Sequence, residues 1–188
     1  MRSPPAERLL VLVGARGCGK TTVAKELAAL LHGEARDLDD LIESTVGRSI
    51  SEIFATDGET FFRRLESQAM NEAFRDYATA KTAVCVLSLG GGAVLAQENQ
   101  RLLREQATVI WLQADAATLV ERIAADVTSI NRRPALTEFP LSEEVAHLLA
   151  SREPVYESVA DLVVNTEAQT PINIANSIVK QLTQSEQL

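Results

Sequence analysis

The stretch "GARGCGKTT", residues 14–22, follows the apolar run "LLVLV" (residues 9–13) and precedes "VAKELAALL" (residues 23–31). Gly14, four residues, then Gly19, Lys20 and Thr21 match G-x-x-x-x-G-K-[ST]. A strand-like segment stands before it and a helix-like segment after it, the context in which that pattern cradles phosphate. Glycines let the backbone wrap tightly, so successive N–H groups and the N-terminus of the following helix point at phosphate oxygens. The candidate nucleotide-binding set is therefore Gly14, Ala15, Arg16, Gly17, Cys18, Gly19, Lys20, Thr21 and Thr22. In this pattern Lys20 reaches the β- and γ-phosphates of a nucleotide and the Thr21 hydroxyl coordinates Mg²⁺. Cys18 occupies a variable position and reads as a tolerated small residue, not a nucleophile.

Working outward, short apolar runs alternate with segments of helical period: "LLVLV" then "TTVAKELAALL", "AVCVLSL" then "AQENQRLLREQ", "TVIWLQ" then "AATLVERIAA", "DLVVN" then "INIANSIVKQL". Such alternation predicts an α/β fold of βαβ units, three layers deep, with helices on both faces of a parallel sheet. Including the brief "EARDLD", residues 34–39, the sheet has five strands. In the first helix Val23, Leu27, Leu30 and Leu31 form the expected sheet-facing stripe. Trp111, in "VIWLQ", is expected in the core.

Two stretches interrupt the alternation. "SISEIFATDGETFFRRLESQAMNEAFRDYA" reads as a short helix, a turn at Asp57-Gly58 and a longer helix, a helical insertion over about residues 50–79. "DVTSINRRPALTEFPLSEE" is polar, contains two prolines and joins two helices; a loop of that length in a compact domain reads as a mobile lid, about residues 127–141. With a loose N-terminus at residues 1–7, the 188 residues make one domain.

A formal net charge of −8 argues against a general nucleic-acid binder, which needs surplus Lys and Arg, while leaving room for a local basic pocket. Two cysteines, Cys18 and Cys85, make no disulfide framework and fit a reducing cytoplasm. "MRSPPAER" holds no apolar segment of a secretory signal, and the longest apolar stretch, residues 83–96, is too short to span a bilayer. His32 and His147 have no metal-ligand spacing around them and read as structural or surface residues.

The destination of the phosphate must come from elsewhere. In "ARDLDDLIE" (residues 35–43), Asp37 follows Thr21 by 16 residues and stands at the end of the second strand, on the rim to which the phosphate loop points. Strand alternation is expected to put Asp37 and Asp39 on one side, one carboxylate holding a magnesium water and the other a substrate hydroxyl. Asp40 reads as a plain cap or solvent residue. Gly90, Gly91 and Gly92 follow an apolar strand at the same edge, where backbone without side chains can approach a ligand closely.

At this point the sequence resembles the shikimate kinases. The resemblance rests on "DLD" in the place of that family's D-x-D, "TDGETFFRRLE" with its F-R-x-x-E core, "SLGGGAV", "RRPALTEFPLSEEV" with its R-P-x-L lid signature, and "ASREPVYESVAD" with R-x-P-x-Y. Leu38 stands between the aspartates where many members have Thr or Ser, and is expected to be buried; Ala135 stands where Leu or Thr often follows the lid proline. The resemblance implies transfer of the γ-phosphoryl of ATP to the 3-hydroxyl of shikimate on a P-loop fold. It assigns the acceptor carboxylate to Arg63 and Arg152, ring hydroxyls to Asp39, closure of the pocket to Gly90–Gly92, support of Mg²⁺ to Asp37 and Thr21, and cover of the phosphates to the lid arginine Arg133. Lys20, Asp39 and Arg133 are the implied catalytic residues, and Glu66 is read as orienting Arg63.

Alternatives stay open at this level. Asp39 either orients the hydroxyl or takes its proton, Arg132 shares the lid role or leaves it to Arg133, and Arg122 borders the nucleotide base or is a plain exposed arginine. Arg64, about 100° round the helix from Arg63, is expected in solvent. A kinase of another hydroxy acid such as gluconate, or an inactive ATP-binding regulator, would use the same loop. The remaining expectation is a monomer without membrane or nucleic-acid partners.

Overall fold

A computed structural model of the chain describes residues 8–79, 84–126 and 140–184. Five strands, β1 (Arg8–Val13), β2 (Glu34–Asp37), β3 (Val84–Ser88), β4 (Thr108–Gln113) and β5 (Leu162–Asn165), form one parallel sheet in the order β2-β3-β1-β4-β5. The helices between them are α1 (Lys20–Leu30), α2 (Leu38–Val46), α3 (Ile50–Thr79), α4 (Gln97–Gln106), α5 (Ala116–Ala125), α6 (Leu141–Val159) and α7 (Pro171–Gln184). A short 3₁₀ turn, Ala93–Leu95, precedes α4.

Alternate strand residues enter opposite cores, as the period of two dictates. Leu9, Val11, Leu87, Val109 and Trp111 face one, packed with Phe62, Met70 and Tyr156; Leu10, Leu12, Val86, Ile110 and Leu112 face the other, packed with Leu27, Leu119 and Ile178. Helices thus cover both faces, and Trp111 lies in the core as expected. The face of α1 that is buried consists of Val23, Ala24, Leu27 and Ala28. Leu30, expected in that stripe, is exposed: it stands about 120° round the helix from Ala24, and the buried face is turned toward Ala24 and Ala28.

The acceptor-side insertion is held by its helix ends. Asp37 caps α2 through the Asp39 N–H at 3.0 Å, and Gly47, in the left-handed region at φ 71°, ends it. Ser49 and Glu52 then form a reciprocal capping box at the start of α3, with Ser49 N–H donating to Glu52 at 2.8 Å and Glu52 N–H donating to Ser49 Oγ at 3.2 Å. The turn expected at Asp57-Gly58 is a kink: Gly58 adopts φ 79°, ψ 173° in an otherwise helical run. Leu38 is fully buried.

The expected lid meets the described structure only at its end, where Pro140 and Leu141 open α6, so residue 141 belongs to a helix; residues 127–139, with Arg132 and Arg133, lie outside the described residues, as do residues 1–7. Leu27, wholly buried between α1 and the sheet, tests this core. Leu27→Ala is expected to cost about 2–5 kcal/mol, read as a lower denaturation midpoint at unchanged urea m-value.

Candidate active site

The phosphate loop runs from the end of β1 into α1. Gly14, Gly17 and Gly19 have φ of 142°, 86° and 94°, and a Cβ on Gly14 would stand 2.5 Å from the Leu112 carbonyl oxygen. That position therefore excludes every side chain on conformation and on space. α1 has no side-chain cap and no acidic residue in its first turn, in contrast to α2. Its first N–H groups and the positive end of its dipole are thus left to an anion in the loop. The Lys20 ammonium folds back and donates to the carbonyls of Gly14 and Ala15, each at 2.9 Å. Cys18 is buried, with its sulfur 3.6 Å from the Lys20 nitrogen.

Strand pairing brings the acidic residues to this loop. Asp37 pairs with Ser88 and Ser88 with Leu12, one row across β2, β3 and β1, two residues short of Gly14. Thr21 Oγ1 donates to Asp37 Oδ2 at 2.7 Å, and the other Asp37 oxygen accepts the Asp39 N–H. Strand alternation is not what unites Asp37 and Asp39, because β2 ends at Asp37 and Asp39 already lies in the first turn of α2. The cap does it, with Asp37 as the capping residue; Asp40 is exposed, in keeping with the solvent alternative of its reading. A hydroxyl and a carboxylate in contact on the cleft wall are hard oxygen donors that fit Mg²⁺, an ion that keeps most of its shell as water and phosphate oxygen. Among the described residues no group of three His, Cys, Asp or Glu could hold a metal ion.

One cleft of ≈ 730 Å³ joins these parts. Its lining includes Arg16, Gly17, Gly19, Lys20, Thr21 and Thr22 from the loop and α1, Asp37 and Asp39 from the acid pair, and Gly90 and Gly91 from the glycine run. Gly14, Ala15, Cys18, Gly92, Arg63 and Arg152 are not among the lining residues. The two arginines stand beside the glycine run. The space a Gly92 Cβ would fill is taken by the Arg63 guanidinium, with Nη2 2.6 Å away. A Cβ on Gly91 would lie 3.3 Å from Gly14 O, 3.4 Å from the Tyr156 hydroxyl and 3.6 Å from Arg152 Nη1.

Arg63 is gripped by two carboxylates. Glu66 accepts from Nη1 at 2.8 Å, while Glu59 accepts from Nε at 3.2 Å and Nη2 at 2.9 Å. Burial alone would lower the Arg63 pKa, but the Glu66 and Glu59 carboxylates outweigh it and raise it, so the guanidinium stays charged. The orienting role read for Glu66 thus has its contact. Arg64 is exposed and lies over the Phe61 ring.

Other residues shape the cleft and its glycine run. Tyr156, fully buried on α6, donates its hydroxyl to Gly91 O at 2.6 Å and holds the glycine wall across a separation of 65 residues. Glu43 and Ser49 line the cleft from α2 and the following turn, where the only sequence signal was capping. Arg122 also lines the cleft, its guanidinium donating to Thr166 Oγ1 at 3.0 Å and Thr166 O at 2.7 Å, so it is not a plain exposed arginine.

The family described as Shikimate kinase matches residues 16–183 of the chain. The chain belongs to the shikimate kinase family. A shikimate kinase of Rhodopirellula baltica is 40% identical over 171 residues, covering 91% of this chain and 88% of its own length. The structure of shikimate kinase from Acinetobacter baumannii in complex with shikimate superposes with a TM-score of 0.86 at 30% identity, covering 96% of each chain. A gluconokinase from Sinorhizobium meliloti superposes with a TM-score of 0.62 at 17% identity over 96% of this chain and 94% of its own, a likeness of fold alone. The α/β parallel-sheet fold and the family expected from the motifs are both borne out.

Two substitutions test the backing of this shikimate kinase's glycine wall. Tyr156→Phe is expected to destabilise by about 1–3 kcal/mol, the cost of a buried carbonyl losing its donor. Gly92→Ala must push the end of the Arg63 side chain aside and is expected to cost about 1–3 kcal/mol, the range of overpacking against a group that can give way. Urea denaturation of both variants reads these losses.

Proposed function

We propose that this chain transfers the γ-phosphoryl of ATP to the 3-hydroxyl of shikimate. The observation that carries the reading is that Asp39 and Gly91 share one cleft with the phosphate loop and with the Thr21–Asp37 pair. Membership of the shikimate kinase family supports the choice of acceptor over gluconate, whose kinase shares only the fold. No helix among the described residues is long and apolar enough to cross a membrane. We further read the chain as a single-domain, monomeric, cytoplasmic enzyme.

Phosphoryl transfer passes through a loose transition state, so the protein's task is alignment and neutralisation of charge. On this reading Lys20 exchanges its two loop carbonyls for the β- and γ-phosphate oxygens, and the α1 N-terminus contributes backbone N–H donors. Mg²⁺, held through Thr21 and Asp37, supplies further positive charge at the phosphates. Arg133 is assigned to cover the phosphates from residues 127–139. Arg63 and Arg152 hold the shikimate carboxylate, whose planar oxygens suit guanidinium donors. Anchored there, the ring presents its hydroxyls to Asp39, and Gly90–Gly92 allow the ring to lie close to backbone. Asp39 fixes the 3-hydroxyl in line and accepts its proton as the oxygen bonds to the γ-phosphorus and the bond from that phosphorus to the leaving oxygen of ADP breaks. Arg122, which lines the cleft, is read as bordering the nucleotide.

The test is ADP release with ATP and Mg²⁺, with shikimate or gluconate as acceptor. ADP formation that depends on shikimate supports the proposal; dependence on gluconate, or nucleotide binding with no turnover of either, contradicts it. Asp39→Asn is expected to lower kcat by about 10²–10⁴-fold, the range of a positioned proton acceptor. Arg63→Ala is expected to raise KM for shikimate by about 10–100-fold, the loss of a charge-assisted bond. ATP affinity by titration should be retained in both.

A further inference from the structure

We propose that Glu59 is a displaceable occupant of the acceptor-binding guanidinium, a carboxylate of the protein itself that the acceptor's carboxylate must expel. The inference rests on the reading that Arg63 holds the acceptor carboxylate.

Charge and access both point to it. Arg63 carries one positive charge and contacts two carboxylates, so as it stands the cluster is net negative and repels an incoming anion. The two partners differ in freedom. The Glu66 side chain is 1% exposed and cannot leave without carrying its charge into the core. The Glu59 side chain is 58% exposed, so it can swing into water at little cost. Its departure restores a balanced pair of Arg63 and Glu66, which the acceptor then joins.

Geometry agrees. Glu59 Oε1 accepts from both Nε and Nη2, so one protein oxygen takes the whole two-donor edge that a planar carboxylate would use. Gly92 backbone lies against the same guanidinium, and the Phe62 ring centroid lies 5.4 Å from Cζ, leaving its in-plane edges as the route of approach. Glu59 also follows the Gly58 kink directly, where a Cβ would meet nothing within 4 Å. Just before the kink the chain is fixed by Arg48, which donates to Asp57 at 2.8 Å and Thr56 at 3.1 Å. Residue 59 therefore has an anchored segment behind it and open space at its pivot.

Steady-state kinetics of the wild type and of Glu59→Gln, with shikimate varied at saturating ATP and Mg²⁺, tests the proposal. Removing the competing charge should lower KM for shikimate by about three- to fivefold with kcat nearly unchanged, the size of one half-exposed ion pair. Glu59→Asp, which keeps the charge but shortens the reach, should fall between the two. With a shikimate analogue bearing a neutral group in place of the carboxylate, the advantage of Glu59→Gln should vanish. An unchanged or raised KM for shikimate in Glu59→Gln would overturn this proposal alone and make Glu59 a support that aims Arg63 at the substrate. A wild type that turns over no shikimate would instead overturn the proposed function and this inference with it.

Discussion

Parallel hydrogen bonding between β2, β3 and β1 is the constraint from which the active-site cleft follows. It sets Asp37, Ser88 and Leu12 in one row at the carboxyl edge of the sheet. Each of these three strands leads into the cleft: β1 turns into the phosphate loop, β2 into the capped start of α2, and β3 into the glycine run. A slip of one residue in either of the two pairings would reverse the face of each side chain in the slipped strand. The apolar alternation of Leu10, Leu12, Val86 and Ile110 against Leu9, Val11, Leu87 and Val109 forbids such a slip, because each set is buried in its own core. The precision of the site is therefore inherited from packing on both faces of the sheet.

On the acceptor side the structure spends stability on placing charge. Glu66 is almost wholly buried and Arg63 mostly so, an arrangement whose desolvation cost tends to offset its Coulombic gain. What the pair secures is position: the guanidinium is fixed beside Gly92, next to Gly91, which Tyr156 ties to α6. The phosphate side uses backbone in the same spirit, with an uncapped helix end and a lysine parked on its own loop. The phosphate half presents preformed positive potential within a chain of net charge −8, so that field is local and not a property of the whole surface.

Much of this was legible in the sequence because its causes are local. The phosphate loop, the strand and helix alternation, the kink at Gly58 and the burial of Leu38 and Trp111 follow from residue type and spacing. Strand alternation misjudged how Asp37 and Asp39 meet, because a side-chain cap ended β2 and opened α2 where the strand period was extended one step too far. The sheet-facing stripe of α1 was drawn through large residues, whereas Ala24 and Ala28 take the place given to Leu30. Tyr156 against Gly91 and Thr166 against Arg122 were invisible, since contacts across 65 and 44 residues leave no periodic trace. The Glu59 and Glu66 grip on Arg63 was present as helical spacings of four and three, but spacing does not say which carboxylate is buried and which can move.

The central claim is that acceptor and phosphate share one hollow. A crystal structure of the chain with a non-hydrolysable ATP analogue, Mg²⁺ and shikimate measures it directly. The account predicts the shikimate carboxylate at Arg63 and Arg152, its 3-hydroxyl against Asp39, and that oxygen within about 3–3.5 Å of the γ-phosphorus. Shikimate seated in a hollow away from Asp39 and the phosphate loop, with Arg63 still bound only to Glu59 and Glu66, would contradict it.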